Sequence, residues 1–450
     1  MVIASIDLQD GKVVQLRQGA ELVLQRDNAP ELAAEFDRYG EVAVIDLDAA
    51  MGKGSHGDLI KTLLRRAECR VGGGIKTPEQ ARELVSLGAK KIILGSAAFR
   101  NPEKRGAGRT GGEFGLQIPF LEEMARTIGR ERLILAVDAK ASVQGGSQAS
   151  TQSGSPASAQ GGWEIVVDGW KTPTGLDLLE TAQAAEALVG EFLFTNVDRE
   201  GTMTGIDLTP VRALREAVTA GVTVAGGVSS LEEIEALAAL GCDVQLGMAL
   251  YTGKVNLTEA FVRSLNWKKV PDTIPVIAQA PDGQVLMTGV ADPEAVTETF
   301  RRGKLCFHSR SRGKLWMKGE SSGNTLELLR LRADCDRDAL LATVEPAGPV
   351  CHTGAWSCFG TDRRYTWEFL QAIIAERFRN PRPGSYTATL DDELVREKVL
   401  EEAEELCTAK NQAELIWEAA DLLYFATALL TRAGVTVQAV LDELDRRHKQ

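Results

Sequence analysis

RVGGGIKTPEQARELVSLGAKKIILGSAAF (70–99) and TVAGGVSSLEEIEALAALGCDVQLGMALY (223–251) are two copies of one pattern. In each, a short apolar run enters a glycine cluster and an amphipathic segment follows. After Leu-Gly, a second apolar run ends on glycine. The pattern reads as strand, tight turn, helix, strand, and its recurrence is the mark of a duplicated half. Outward from these copies lie further apolar runs at helix-length intervals: VIASIDL (2–8), VAVIDLD (42–48), RLILAVDA (132–139) and EFLFTN (191–196). Together with the runs ending at Val71, at Gly95, at Gly227 and at Gly247 they make eight, which predicts a (β/α)8 TIM barrel. By the same twofold, Asp7 at the end of the first strand corresponds to Asp138 at the end of the fifth.

The chain is 450 residues long, 44% hydrophobic and 25% charged, too long for one core and sufficient for about two to four domains. From residue 274 the pattern changes to strands and turns. IPVIAQAPDGQVLMTGV reads as a hairpin around Asp282-Gly283, and GKLCFHS, GNTLELLRLRADC and DALLATVEP follow. Beyond about residue 362 apolar residues recur at three and four, as in a helical bundle, with SYTATL (385–390) as an interruption. The expected division is a barrel over 1–266, a small mixed β-rich α+β metal-binding domain over 273–361, and an all-α bundle over 362–450. The Ser/Gln/Gly-rich stretch 141–162 and a Gly-rich insert near 106–115 read as loops.

The net charge of -12 argues against a nucleic-acid partner or a polybasic membrane anchor. The start, MVIASIDLQDGKVV, lacks the basic and apolar regions of a signal peptide, and no run approaches the ~20 apolar residues of a membrane span. Seven unevenly spaced cysteines fit a reducing compartment better than a disulfide framework, so a cytoplasmic location is expected.

Three constellations carry chemistry. In the barrel, Gly73 and Gly74 pair with Gly95 and Ser96, and Gly226 and Gly227 pair with Gly247 and Met248. Glycine lets backbone N–H groups approach an anion and a following helix adds its positive end, so two such cradles suit a substrate with a phosphate at each end. Asp7 and Asp138, at opposed strand ends, can divide acid and base roles. In the middle region, a strand would set Asp334, Asp336 and Asp338 on one face, suited to Mg²⁺, and Cys335 on the other. Cys335, Cys351 and Cys358 offer three thiolates to zinc, leaving one position open for water. A solvated acidic turn with unconnected cysteines is the alternative. In the last region Glu401, Glu402 and Glu405 on one helix and Glu418 and Asp421 on the next can converge on Mg²⁺, or simply form a solvated face.

Several of these motifs resemble known families. IDLQDGKVVQLRQG (6–19), VIDLDAA (44–50), VGGGI (71–75), LGSAAF (94–99) and VDGW (167–170) resemble the phosphoribosylformimino-AICAR-phosphate (ProFAR) isomerase family, HisA, across the whole barrel. The sister cyclase family HisF matches less well at the opening motif. The resemblance implies an Amadori rearrangement with Asp7 as general base and Asp138 as general acid. Thr195 would support them, and Arg17 and Trp170 would contact substrate. Where that family usually has Asp-Gly-Thr, this chain has Glu200-Gly201-Thr202.

SRSRGKLWMKGESSG (309–323), D-C-D-x-D and CHTG-x-x-SCF resemble phosphoribosyl-AMP cyclohydrolase, HisI. This implies a zinc-activated hydroxide that opens the purine ring, Mg²⁺ on Asp334, Asp336 and Asp338, Cys335 completing the zinc site across a dimer, and His352 as an acid/base or substrate contact. E-E-x-x-E and E-x-x-D with SYT upstream resemble phosphoribosyl-ATP pyrophosphohydrolase, HisE, with a MazG-type nucleotide pyrophosphatase as the alternative. Together the resemblances imply three successive steps of histidine biosynthesis on phosphoribosyl small molecules, encoded in reverse order, in a homodimer formed through the middle and C-terminal domains. The rival reading is a barrel that only binds or scaffolds, or that accepts a second, tryptophan-pathway substrate.

Overall fold

The computed structural model describes residues 1–99, 114–142, 162–269, 272–360, 365–382 and 384–448. Most of the 141–162 stretch and of the 106–115 insert lies outside these residues.

Strand β1 (Val2–Gln9) is followed by a hairpin of β2 (Lys12–Arg17) and β3 (Glu21–Arg26), then by β4 (Val42–Asp46), β5 (Cys69–Gly72), β6 (Lys91–Leu94) and β7 (Leu133–Ala141). A second hairpin, β8 (Trp163–Val167) and β9 (Thr172–Asp177), precedes β10 (Glu191–Asn196), β11 (Gly221–Ala225) and β12 (Asp243–Leu246). Eight of these pair in parallel in the order β1, β4, β5, β6, β7, β10, β11, β12, and β12 returns to β1. The barrel is closed. Its interior is filled by Ile45, Ile93, Ile134, Ala136, Leu193 and Ala225, while a larger apolar layer lies between strands and helices. Thr77 and Ser230, equivalent in the two repeats, each cap the following helix, Ser230 with Glu233 in a reciprocal capping box.

The two hairpins follow the first and fifth barrel strands, so they obey the same twofold as the glycine repeats. Each runs antiparallel to the strand it continues. At the opposite end of the barrel, Arg70 is fully buried and pairs with Glu41 and Glu191. A charge so enclosed requires such partners.

Residues 1–277, 288–320 and 326–342 form one compact unit, and residues 278–287, 321–325 and 343–450 the other. The β-rich part contributes β13 (Ile274–Gln279), β14 (Val285–Ala291), a two-stranded ribbon of β15 (Cys306–Ser309) and β16 (Lys314–Met317), β17 (Leu326–Ala333) and β18 (Leu340–Pro346), with a sheet in the order β14-β13-β18-β17. Asp282-Gly283 forms the expected turn, with Asp282 Oδ1 accepting from Gln284 N at 3.0 Å and Gly283 at φ 82°. The C-terminal part is helical over Trp367–Arg379, Asp392–Thr408, Gln412–Arg432 and Val437–His448, with a 3-10 turn at Tyr386–Thr389 where SYTATL interrupts. Its core is small: Leu370, Ile374, Leu390, Val395, Phe425 and Ala428. No single helix among the described residues is long and apolar enough to cross a membrane.

One expectation needs correction. Asp334 to Asp338 are not on a strand, because β17 stops at Ala333 and β18 starts at Leu340. Asp334 Oδ1 instead accepts from Asp338 N (3.0 Å) and Ala339 N (3.2 Å), and Arg337 adopts a left-handed φ of 63°. Aspartate competes for backbone donors in this way and converts a period-two pattern into a turn.

Candidate active sites

A cavity of about 580 Å³ occupies the mouth formed by the C-terminal strand ends. Asp7, Asp138, Thr195, Trp170 and all eight cradle residues (Gly73, Gly74, Gly95, Ser96, Gly226, Gly227, Gly247 and Met248) line it. In an eight-stranded ring, strands one and five face each other, and so do the strand pairs three–four and seven–eight. The aspartates and the two cradles therefore form a cross, a direct result of the duplication.

Two of the glycines are fixed by backbone approach. A Cβ on Gly73 (φ 101°) would stand 2.2 Å from Asp46 O, and one on Gly226 (φ 89°) 2.6 Å from Asn196 O. That contact alone demands glycine at both positions.

Asp7 Oδ1 accepts from the Ser5 hydroxyl at 2.7 Å. Desolvation nevertheless pushes its carboxyl up to about 6. Asp138 is also raised by desolvation, and donors from Thr195 and Trp170 pull it back; Trp170 Nε1 lies 2.9 Å from Asp138 Oδ2. Thr195 sits opposite Asp138 in the β10–β7 register. The third carboxyl is Glu200. It lines the same cavity, and desolvation followed by the charges of Asp7 and Asp138 pushes it up to about 8. In the sequence Glu200 shows only as a departure from Asp-Gly-Thr, and nothing there marks it as the neighbour of both aspartates.

Arg17 does not line the cavity. Its guanidinium pairs with Glu21 at 3.2 Å on the first hairpin. The same hairpin reaches the mouth by its backbone, with Gln18 N donating to Glu200 O at 3.2 Å. A Cβ on Gly19 would meet the Trp170 ring at 2.9 Å.

In the middle region one carboxylate oxygen each from Asp334, Asp336 and Asp338 lies within 4.8 Å of the others. This spacing fits a hard cation. Lys269 pairs with Asp336, and with Asp338 at 2.6 Å. Cys351 and Cys358 interact through their thiols, and Cys351 is pulled below the usual thiol range, first by the Thr353 hydroxyl, which donates to its Sγ at 3.1 Å. His352 Nδ1 is 3.8 Å from Cys351 Sγ. Cys335 is exposed and belongs to the other compact unit. Thiolates with an adjacent imidazole are a donor set suited to zinc.

In the helical region Glu402, Glu405 and Glu418 bring carboxylate oxygens within 4.8 Å. Desolvation raises Glu402, with Asp421 and Glu405 adding repulsion, and desolvation raises Glu418, with Glu405 adding most to it. Like charges held this way are relieved by a divalent cation. Glu401 stands apart and pairs with Lys398 at 2.6 Å.

A closed parallel barrel with a carboxyl-lined mouth, continued by a β-rich region and a helical one that each gather acidic groups, defines a multidomain (β/α)8 enzyme. Residues 1–256 match the family described as histidine biosynthesis protein, residues 287–360 phosphoribosyl-AMP cyclohydrolase, and residues 368–448 phosphoribosyl-ATP pyrophosphohydrolase. The chain is 41% identical over 203 residues to the histidine biosynthesis bifunctional protein HisIE of Escherichia coli (strain K12), covering 43% of this chain and all of that protein. The HisIE protein of Xanthomonas campestris pv. campestris is 42% identical over 193 residues, 41% of this chain and 94% of that one. The chain belongs to the histidine biosynthesis protein family, and it carries isomerase, cyclohydrolase and pyrophosphohydrolase domains in that order.

Proposed function

We infer that the chain is a trifunctional enzyme of histidine biosynthesis: it hydrolyses phosphoribosyl-ATP to phosphoribosyl-AMP and pyrophosphate, opens the purine ring of the product, and isomerises the resulting ProFAR. The boundaries proposed for the three activities are 1–266, 273–361 and 362–450.

The observation that carries the isomerase assignment is the set of three desolvated carboxyls, Asp7, Asp138 and Glu200, in one cavity between two glycine cradles. Desolvating three acids together destabilises the fold, and a scaffold gains nothing in return. Asp7, ionised above about pH 6, removes the substrate's proton. Asp138 is the acid that protonates the ribose ring oxygen as the ring opens. Burial raises Asp138 despite its donors Thr195 and Trp170, and Glu200, pushed up to about 8, is the proton reserve from which Asp138 is resupplied. The cradles hold the two phosphates, which fixes the reacting carbon between the carboxyls.

Cys351 and Cys358, with Cys335 of a second copy of the chain, are the thiolates that would hold zinc, which supplies Lewis-acid activation of water for ring opening. His352, beside Cys351, is the proposed acid/base group there. Asp334, Asp336 and Asp338, and separately Glu402, Glu405, Glu418 and Asp421, would hold Mg²⁺, which neutralises phosphate charge. Leu400, Ile416 and Trp417 are 73%, 63% and 69% exposed on adjacent helices, an apolar face suited to a second copy of this chain. The proposed location is the cytoplasm.

The test is to supply purified protein with phosphoribosyl-ATP, Mg²⁺ and Zn²⁺ and follow the products by mass and absorbance. Pyrophosphate release, ring opening and the isomerised product should appear in succession. Accumulation of ProFAR with no isomerised product would remove the barrel from the pathway.

A further inference from the structure

The loop that carries Asp334, Asp336 and Asp338 is held by groups that precede it by almost one hundred residues or by about seventy. Arg337, with its left-handed backbone, turns away from the carboxylates and is buried against the N-terminal end of the barrel. Its guanidinium donates to Ala238 O at 2.7 Å, to Cys242 O at 2.6 Å and to Asp243 Oδ1 at 2.9 Å. Asp243 also pairs with the amino group of Met1. From the segment that leaves the barrel, Asn266 N donates to Arg337 O at 2.8 Å and Asn266 Nδ2 to Asp336 O at 3.4 Å. Lys269 follows and places its ammonium against Asp336 and Asp338.

These contacts have two physical consequences. A guanidinium buried with three acceptors is expensive to withdraw, so Arg337 pins the turn between Asp336 and Asp338. The ammonium of Lys269 pairs with two of the three carboxylates and offsets one of their charges, so an incoming cation competes with it. Lysine makes a point-charge contact on a flexible stem and can leave without disturbing the backbone.

We propose that Arg337 is a positioning residue that fixes the acidic loop on the base of the barrel, and that Lys269 is an internal counter-cation that a divalent ion displaces when it binds Asp334, Asp336 and Asp338. The proposal rests on reading those three aspartates as a cation site. It makes the metal affinity of the cyclohydrolase region depend on residues that belong to the barrel and its exit segment.

The experiment is Mn²⁺ titration, followed by electron paramagnetic resonance, of the full chain carrying Glu405→Gln and Glu418→Gln, which silence the helical cluster. Against that parent, Lys269→Met tightens binding roughly fivefold, the size of one or two partly exposed ion pairs. Arg337→Gln weakens it about tenfold, the loss expected when a preorganised loop is freed. Lys269 is half exposed, so its variant folds whatever becomes of the buried arginine, and thermal melting monitors both. Unchanged affinity in Lys269→Met overturns the counter-cation role, and unchanged affinity in a folded Arg337→Gln overturns the positioning role. A parent that binds no Mn²⁺ overturns the cation-site reading itself, a result distinct from either.

Discussion

The indole Nε1 of Trp170 donates to Asp138 Oδ2 at 2.9 Å, and the other side of the same ring meets Gly19 on the first hairpin, where even a Cβ would come within 2.9 Å. Trp170 itself sits at a left-handed φ of 68°. One residue therefore donates to a candidate acid, drawing it toward its anion, and packs against the hairpin at the cavity mouth. Trp170→Phe keeps the ring and removes the donor. Isomerase kcat should fall roughly tenfold, the cost of one hydrogen bond to a charged group, while KM changes little. A rise confined to KM, with kcat unchanged, would show that the indole matters for binding and its donation to Asp138 does not matter for the chemical step.

Asp7→Asn should reduce isomerisation by roughly a thousandfold, as expected for loss of a general base. The two hydrolytic steps should continue, because Asp7 lies in the barrel cavity. Mass spectrometry of the products from phosphoribosyl-ATP would show ProFAR accumulating.

The isomerase pH profile follows from the signs of the shifts. Asp7 must be ionised to accept a proton, so kcat/KM rises as pH passes about 6. Glu200 must be protonated, so the rate falls as pH passes about 8. Glu200→Gln cannot titrate, and the alkaline fall should disappear along with much of the activity. An unchanged alkaline limb in that variant would assign the fall to another group.

The proposed zinc site predicts that the activities can be separated. A zinc-selective chelator, or Cys351→Ser, should abolish ring opening and leave both pyrophosphate release and isomerisation of supplied ProFAR intact. Loss of all three would point to a structural role for the cysteines.

Repulsion in the helical cluster gives opposite effects on stability and activity. Glu405→Gln removes a charge that raises both Glu402 and Glu418. In the absence of metal its melting temperature should rise slightly as that repulsion is relieved. Pyrophosphate release should fall roughly a hundredfold with the loss of a proposed metal ligand.

Much of this was legible in the sequence because duplication amplifies weak signals. One glycine pair is a turn, whereas two at matching offsets, with Asp7 and Asp138 also matching, define a barrel mouth. The first hairpin has a signal in Asp10-Gly11 and Gln18-Gly19, which separate β1, KVVQLR and ELVLQR and all adopt positive φ, but a count of eight apolar runs at helix-length intervals passes over it. Arg17 faces Glu21 because it sits on that hairpin. The alternating aspartates of 334–338 imitate a strand, and only the Asp334 side chain's bonds to Asp338 and Ala339 reveal the turn. In E-E-x-x-E, helical spacing allows either Glu401 or Glu402 to join Glu405. Glu402 is the one whose carboxylate approaches Glu405 and Glu418, while Glu401 pairs with Lys398, which also reaches Glu402 at 3.5 Å. Glu200 and Arg337 were invisible for a simpler reason: their roles depend on neighbours far away in the chain.

The base of the barrel is where fusion has left its mark. Arg330 pairs with Asp37 and, at 2.7 Å, with Glu68; Arg332 also meets Glu68, and Tyr39 stacks on Phe300 at 4.1 Å. Cutting the chain after Lys269 would strip Asp37, Glu68 and Asp243 of their guanidinium partners and uncover Tyr39. The underside of the barrel is thus a joint: Asp37 answers to an arginine 293 residues further on, and Glu68 to two arginines of the same strand.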